Sequence, residues 1–346
     1  MIPVAVITGF LGSGKTTLLA RLLRDPAMCR TAVIINEFGA VGLDHELLRT
    51  SDESFVRLSN GCLCCNVRSD LVLTLGDLAV RRAAGTVPQF ERAVVETTGL
   101  ADPAPILHAL MTDRDLADAY ALDGVVTTVD AVTGLATLQQ HEVSRRQAAV
   151  ADRIVLTKTD LPDAQAAATA ARLAALNPGA PVLAAVHGAV APAALFDSGI
   201  YDVHGKHPDV HAWLAHEAVA AASGDARHHH DDDITSFCIL RHEPLRAVTL
   251  ALFLSALAEN CGTDLLRMKG IVHVAEQPDR PAVIHGVQHV YHAPVWLDEW
   301  PSGDRRTRMV FIGRNMRESW VRNLLDLLDA EVADESARRM PPGDAA

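Results

Sequence analysis

A glycine-rich loop near the start of the chain constrains its fold more than any other feature. Residues 9–16 read Gly-Phe-Leu-Gly-Ser-Gly-Lys-Thr, which fits the phosphate-binding pattern G-x-x-x-x-G-K-[ST] at every position. The apolar run Val4–Thr8 before it predicts a buried strand, and leucines at helical spacing follow it. A strand, such a loop and a helix in this order predict a P-loop nucleotide-binding domain.

Short β-branched runs continue through the first 190 residues, separated by polar or helical sequence. This pattern predicts an α/β fold with a mostly parallel sheet and helices on both faces. Ligands of such sheets bind at the carboxyl ends of the strands. We expect this P-loop domain to span residues 1–200. The further strand candidates lie at 31–35, 93–95, 124–129, 154–156 and 181–183.

The composition changes after residue 200. Histidines and aspartates are concentrated in residues 201–233, which predicts a linker. Residues 234–332 alternate strand candidates with two helices, Leu245–Asn260 and Glu318–Leu328, and predict a smaller C-terminal α+β domain. We expect a disordered tail over 333–346.

Charge and hydropathy argue against two classes of partner. The net charge is −12, whereas a nucleic-acid-binding protein needs a basic surface. No apolar run reaches the roughly 20 residues that span a bilayer. The start of the chain shows no secretion signal, so we expect a cytoplasmic protein with reduced cysteines.

The phosphate loop has an expected role at each position. Backbone amides close around phosphate oxygens, and the positive end of the helix adds to this. Lys15 is expected to reach the β- and γ-phosphates, and the Thr16 hydroxyl to bind Mg²⁺. The residues expected at the nucleotide are Gly12, Ser13, Gly14, Lys15, Thr16 and Thr17.

A second motif indicates which base is bound. Thr157-Lys158-Thr159-Asp160 directly follows a strand candidate. The Asp160 carboxylate can accept from the ring N–H and the exocyclic amine of guanine, a donor pair that adenine lacks, while the Lys158 stem can cover the base. Guanine-binding proteins usually have Asn where this chain has Thr157. With His187 after the next strand, the motif favours GTP over ATP; the alternative is an ordinary charged turn.

Three cysteines form the second chemical feature, Cys62, Cys64 and Cys65. Thiolates favour soft ions such as Zn²⁺ and Cu⁺. Three thiolates leave a tetrahedral ion one ligand short, which suits a transfer site better than a permanent structural one. A redox pair and inert buried cysteines remain as alternatives, although the polar flanking residues argue against burial.

Together these motifs resemble the CobW-type metallochaperone GTPases. The matching segments are Gly9–Thr17, Asn36–Gly39, Gly61–Cys65, Glu96–Pro103 and Thr157–Asp160, and later Lys269–Gly270, Gly286–Gln288 and Val310–Gly313. The resemblance implies a GTPase that binds Zn²⁺, or in some members Co²⁺, at the cysteines. It also implies delivery of the metal to a metal-requiring client protein. Turnover is expected to be slow, because no side chain matches a water-orienting glutamine and no arginine finger is identified.

The resemblance implies roles for two carboxylates. Glu37 is expected to complete the metal site with Cys65, or to position Mg²⁺ or water. Glu96 and Gly99 are expected to face the γ-phosphate, with capping of the next helix as the alternative role for Glu96. Ala40 replaces an acidic residue of many members, so a second metal site there is not expected. Catalysis is therefore assigned to Lys15, Thr16, Glu37 and Glu96.

Three further hypotheses concern regulation, accessory metal binding and other functions. We expect GTP and Mg²⁺ to order the segment around Glu37 and the cysteines, and hydrolysis to loosen it. His228, His229 and His230 would hold metal weakly, or form only a solvated linker. Competing functions are a P-loop ATPase or kinase with structural cysteines, a metal store, and a cobalamin-pathway assembly factor delivering cobalt. The sequence does not determine the oligomeric state.

Overall fold

The computed structural model describes residues 1–35, 67–196 and 234–339. The chain divides into two compact units, Met1–His216 and Glu217–Ala346. Several predicted site residues lie outside the described residues: Glu37, Cys62, Cys64, Cys65, His228, His229 and His230. The linker over 201–233 lies there as well, so its role stays a prediction.

A six-stranded parallel sheet forms the centre of the first unit. Its strands are β1 (Ile2–Gly9), β2 (Thr31–Ile35), β3 (Arg92–Glu96), β4 (Tyr120–Asp130), β5 (Arg153–Thr157) and β6 (Val182–Ala185). They lie in the order β2-β3-β1-β4-β5-β6, and every neighbouring pair is parallel. The predicted α/β fold is therefore confirmed.

Helices cover both faces of this sheet. Ala5 and Ile7 pack with Leu18 and Leu19 of the first helix, while Val6, which points to the opposite face, is equally buried. The helices are α1 (Lys15–Leu22), α2 (Val67–Ala83), α3 (Ala104–Thr112), α4 (Arg114–Ala119), α5 (Gly134–Gln140), α6 (Glu142–Ala149), α7 (Ala166–Leu176) and α8 (Pro192–Leu195).

Strand register brings the ends of four strands to one edge. Ile7 pairs with Glu96, Gly9 with Thr128, and Asp130 with Thr157. Parallel strands end on the same side of a sheet, so the loops that follow β1, β3, β4 and β5 adjoin one another. This edge is where the sequence motifs predict a nucleotide.

The second unit is an antiparallel sheet covered by two helices. Its elements are β7 (Ile234–Arg241), α9 (Ala247–Cys261), β8 (Leu265–Val272), β9 (Ala282–Val287), β10 (Val290–Tyr291), β11 (Val295–Trp296), β12 (Thr307–Arg314) and α10 (Glu318–Arg339). The sheet order is β10-β9-β8-β12-β7, with β11 also paired to β9. Phe253, Phe311 and Val321 lie in its core.

The last helix is longer than predicted. The sequence places its end near Leu328 and a disordered tail from 333, but α10 continues to Arg339. Residues 329–339 contain neither glycine nor proline and are rich in Ala, Glu and Arg, which favour helix. The first helix-breaking residue is Pro341, so the boundary at 333 was wrong.

No helix within the described ranges combines the length and apolar character that a membrane crossing requires.

We predict that Phe253→Ala destabilises the second unit by about 3–5 kcal/mol. Phe253 is fully buried and makes an edge-to-face contact with Phe311, with ring centroids 6.4 Å apart. Urea unfolding measures the change. Leu252→Ala is the matched control, because the adjacent Leu252 is 45% exposed and should cost far less. Equal costs for the two variants would contradict this packing.

Candidate functional site

The phosphate loop is closed by a glycine that no other residue can replace without displacement. Gly9 has φ of 142°, and a Cβ there would lie 2.3 Å from Thr128 Oγ1 and 2.4 Å from the Thr128 carbonyl oxygen. Ser13 Oγ also lies 2.6 Å from Thr128 Oγ1. The loop therefore packs directly on the end of β4.

Lys15 lies inside this loop rather than in solvent. Its side chain is mostly buried, and Nζ donates to the carbonyl oxygens of Gly9 at 2.9 Å and Phe10 at 3.2 Å. A positive charge held by backbone carbonyls within a phosphate-binding loop is suited to attract a polyphosphate.

Thr16, at the start of α1, contacts Glu96, at the end of β3. Thr16 Oγ1 donates to Glu96 Oε1 at 3.0 Å, and Glu96 is buried at the end of β3. A hydroxyl beside a carboxylate provides the hard oxygen ligands that Mg²⁺ prefers. The helix that follows is capped by another residue, since Asp102 Oδ1 accepts the Ala104 N–H at 2.9 Å.

The segment after β3 packs against the phosphate loop. A Cβ on Gly99 would lie 2.7 Å from the backbone nitrogen of Leu11, so only glycine allows this approach. Thr97 Oγ1 donates to Thr8 Oγ1 at 2.8 Å. Gly99, which the resemblance assigns to the γ-phosphate, is thus held next to the loop.

Thr157 links the base-recognition segment to the phosphate loop. Its hydroxyl is buried and donates towards the carbonyl oxygens of Ser13 at 2.7 Å and Val129 at 3.2 Å. The position at which guanine-binding proteins usually have Asn therefore ties β5 to the loop. The sequence motif alone did not reveal this role.

Lys158 is held by an aspartate that sequence reasoning missed. Lys158 has φ of 55° and its Nζ forms an ion pair with Asp130 Oδ2. Asp130 Oδ1 accepts the N–H groups of Val132 at 2.6 Å and Thr133 at 3.3 Å. Burial opposes ionisation of Asp130, but the bonds from Lys158 and the two amides outweigh it and lower its pKa. The signal that could have identified Asp130 in the sequence is its position directly after the strand candidate 124–129.

Asp160 and His187 lie near each other at the same edge. His187 Nε2 is 3.7 Å from Asp160 Oδ2, and the His187 side chain is 85% exposed. The neighbouring Gly188 approaches the backbone of Thr17 and Leu18, where a Cβ would lie 3.0 Å from the Thr17 carbonyl oxygen. The loop after β6 thus adjoins α1.

The structure gathers most of the predicted nucleotide residues at one edge of the sheet. These are Gly12, Ser13, Gly14, Lys15, Thr16, Thr17, Glu96, Gly99, Thr157, Lys158, Asp160 and His187. Within the described part of the chain, no group of three His, Cys, Asp or Glu residues could hold a metal ion. The cysteine motif and Glu37 lie outside that part.

Comparison with known families finds matches in both units. The family described as CobW/HypB/UreG, nucleotide-binding domain, matches residues 3–184. The family described as cobalamin synthesis protein cobW C-terminal domain matches residues 234–328.

Relatives match nearly the whole chain. The zinc chaperone YjiA of Escherichia coli (strain K12) is 34% identical over 325 residues, which are 93% of this chain and 96% of that protein. The zinc chaperone CobW of Sinorhizobium sp is 31% identical, over a match that covers 94% of this chain and 97% of that protein. The zinc-regulated GTPase metalloprotein activator 1 of Dictyostelium discoideum is 27% identical, over a match that covers 96% of this chain and 81% of that protein.

A solved structure has the same arrangement of elements. The crystal structure of Zn(II)-bound YjiA GTPase from E. coli aligns with a TM-score of 0.68 at 29% identity, covering 94% of this chain and 98% of that one.

We predict that Asp130→Asn removes about 1.5 kcal/mol of stability at pH 7, because the charged partner of Lys158 is lost. The folded-state pKa of Asp130 lies below its ordinary value, near 3.9, so its contribution is complete above that pH. It disappears as pH falls through the lower folded-state value. Urea unfolding at several pH values measures the difference between variant and wild type.

The matched control for this experiment is Asp118→Asn, an exposed aspartate on α4. It should change stability little at any pH. A cost for Asp130→Asn that stays constant into strong acid would contradict the assigned ion pair.

Proposed function

The chain belongs to the CobW/HypB/UreG family, and we propose that it is a GTPase metallochaperone that binds Zn²⁺ and transfers it to a client protein under control of GTP hydrolysis. The observation that carries the proposal is the assembly at one sheet edge of the Thr16–Glu96 pair, the Lys15 loop and the Asp160 segment. Relatives named as zinc chaperones and zinc-regulated GTPases support it.

Three residues account for phosphate chemistry. Lys15 lies where its ammonium can exchange the carbonyls of Gly9 and Phe10 for β- and γ-phosphate oxygens. The Thr16 hydroxyl and the Glu96 carboxylate would hold Mg²⁺, whose contribution is to neutralise charge on those oxygens. We assign catalysis to these three and to Glu37.

Two residues account for the choice of base. Asp160 would accept the two guanine donors, and Lys158 would cover the ring. Asp130 holds the Lys158 ammonium, and Thr157 ties the segment to the loop below it. The alternative is an ATPase or kinase, which would not need the Asp160 acceptor.

We propose Cys62, Cys64 and Cys65, with Glu37, as ligands of the transferred metal. Relatives named zinc chaperones favour Zn²⁺ over Co²⁺ as cargo, and a thiolate set suits either ion. The three consecutive histidines from His228 form an accessory, weaker site in this proposal. The client is a metal-requiring protein met in the cytoplasm, and the acidic charge argues against nucleic acid as partner.

Nucleotide and metal sites are coupled in this proposal. GTP favours the arrangement that binds metal, and hydrolysis releases it, as in other order–disorder switches. Linkage then requires that metal binding also tighten GTP binding.

We predict that Asp160→Asn lowers GTP affinity by about 100-fold and raises xanthosine triphosphate affinity. The loss corresponds to two charge-assisted hydrogen bonds to the guanine donors, whereas an asparagine amide can donate to the extra carbonyl of xanthine. Competition binding with Mg²⁺ measures both. Asp163→Asn, an exposed neighbour, is the matched control. A wild-type chain that binds ATP as tightly as GTP would favour the ATPase alternative.

We predict that Zn²⁺ binds more tightly with Mg²⁺ and a non-hydrolysable GTP analogue than with Mg²⁺ and GDP. Replacing Cys62, Cys64 and Cys65 with Ser should remove tight Zn²⁺ binding and leave GTP affinity, measured without Zn²⁺, nearly unchanged. The control replaces Cys29, Cys238 and Cys261 with Ser and should keep Zn²⁺ affinity. Competition with a chelator of known affinity provides the measurement. Equal Zn²⁺ affinities with the two nucleotides would end the coupling hypothesis.

A further inference from the structure

Helix α6 holds the segment that follows β3 through one buried side-chain amide. Gln147 is 0% exposed, and its Nε2 donates to the carbonyl oxygens of Gly99 at 3.3 Å and Ala101 at 3.0 Å. A side-chain amide nitrogen has two N–H donors, so both serve the same turn. The backbone carbonyl of Gln147 accepts Thr127 Oγ1 at 2.7 Å, which ties this point of α6 to β4.

A second contact reaches the same segment one residue earlier on α6. Arg146 Nη1 donates to Asp102 Oδ2 at 2.9 Å, and Arg146 Nη2 lies 2.8 Å from Glu142 Oε1. Arg146 and Asp102 are partly exposed, so solvent weakens this ion pair. The buried Gln147 contact is therefore the stronger restraint.

The phosphate loop touches both this helix and the segment it holds. The ring of His141, which directly precedes α6, stacks on Phe10 with centroids 4.6 Å apart and an interplanar angle of 24°. Gly99 closely approaches the backbone of Leu11, the next residue of the loop. The α6 region therefore contacts both the Gly99 turn, through Gln147, and the phosphate loop, through His141.

We propose that Gln147 is a positioning residue that holds the Thr98–Ala101 turn where the γ-phosphate of GTP needs it. The turn closes locally through the Ala101 N–H and the Thr98 carbonyl, 3.1 Å apart, but a local bond cannot determine where the turn lies. The Gln147 bonds come from another element and do determine it. The inference rests on the proposed function, in which Gly99 faces the γ-phosphate.

This role has a signature that a merely structural role lacks. GDP has no γ-phosphate, so it does not use the Gly99 turn. Loosening the turn should weaken binding of GTP and leave binding of GDP unchanged. A general loss of stability would instead affect the two nucleotides equally.

The test is Gln147→Met, because methionine is unbranched, fills a similar volume and has no N–H donor. We expect affinity for a non-hydrolysable GTP analogue to fall about tenfold, which corresponds to the loss of roughly one buried hydrogen bond. GDP affinity should stay within about twofold, and kcat for GTP should fall. Calorimetric titrations of wild type and variant with Mg²⁺ measure the ratio.

The matched control is Asn177→Leu, which removes a buried amide that follows α7 and caps the C-terminal end of α6, next to Gln147 but without contact to the Gly99 turn. Asn177 Nδ2 donates to the carbonyl oxygens of Ala148, Ala149 and Ala151 at 2.9, 3.1 and 3.0 Å. This variant should lower Tm and leave the ratio of GTP-analogue to GDP affinity unchanged.

An unchanged affinity ratio in Gln147→Met, or equal losses for both nucleotides, would overturn the inference and leave the GTPase proposal standing. If Gln147→Met does not fold, Gln147→Ala removes the same two N–H donors with a smaller side chain. It should shift the ratio in the same direction, and no shift would also overturn the inference. A wild-type chain that prefers ATP would refute the guanine assignment, and the same ratio would then be measured with an ATP analogue and ADP.

Discussion

Parallel pairing of β1 with β3 and β4 is the constraint on which the nucleotide site depends. It brings Gly9, Glu96 and the end of β4 to one edge, although Glu96 lies 87 positions after Gly9 in the sequence. The phosphate loop is then closed by contact with Thr128, and Thr16 meets Glu96. A change in strand register would separate the hydroxyl from the carboxylate, because one residue shifts a strand by about 3.3 Å and reverses its side chains.

Buried polar side chains hold the loops at this edge. Thr157 and Gln147 each donate to backbone carbonyls of another segment, and Asp130 accepts two backbone amides. Each such bond contributes about 1 kcal/mol net, but loss of one partner leaves a buried group unsatisfied. These residues therefore specify where loops lie more than how stable the domain is. The proposed phosphate binding and base recognition would depend on that placement, because a small displacement of a positioning group can lower catalysis about 100-fold.

Local sequence patterns predicted the parts of the site that are local. The phosphate loop, the Thr157–Asp160 segment and the strands before them depend on residues close in sequence, so motif and periodicity were sufficient. The roles of Asp130 and Gln147 could not be predicted from local patterns, because their partners, Lys158 and Gly99, lie far away in the sequence. The end of α10 was predicted too early because its last turns, residues 329–339, are mostly polar. Hydrophobic spacing alone does not distinguish such turns from a disordered tail.

Sequence patterns were sufficient to identify the P-loop domain, the smaller α+β domain that follows it, the residues proposed to bind phosphate and the family to which the chain belongs. These follow from short-range spacing and from the order of motifs along the chain. Four contacts become visible only in the folded chain: Thr16 with Glu96, Thr157 with the phosphate loop, Asp130 with Lys158, and Gln147 with Gly99. Such contacts join residues far apart in sequence, and the pairing of strands and packing of helices bring them together.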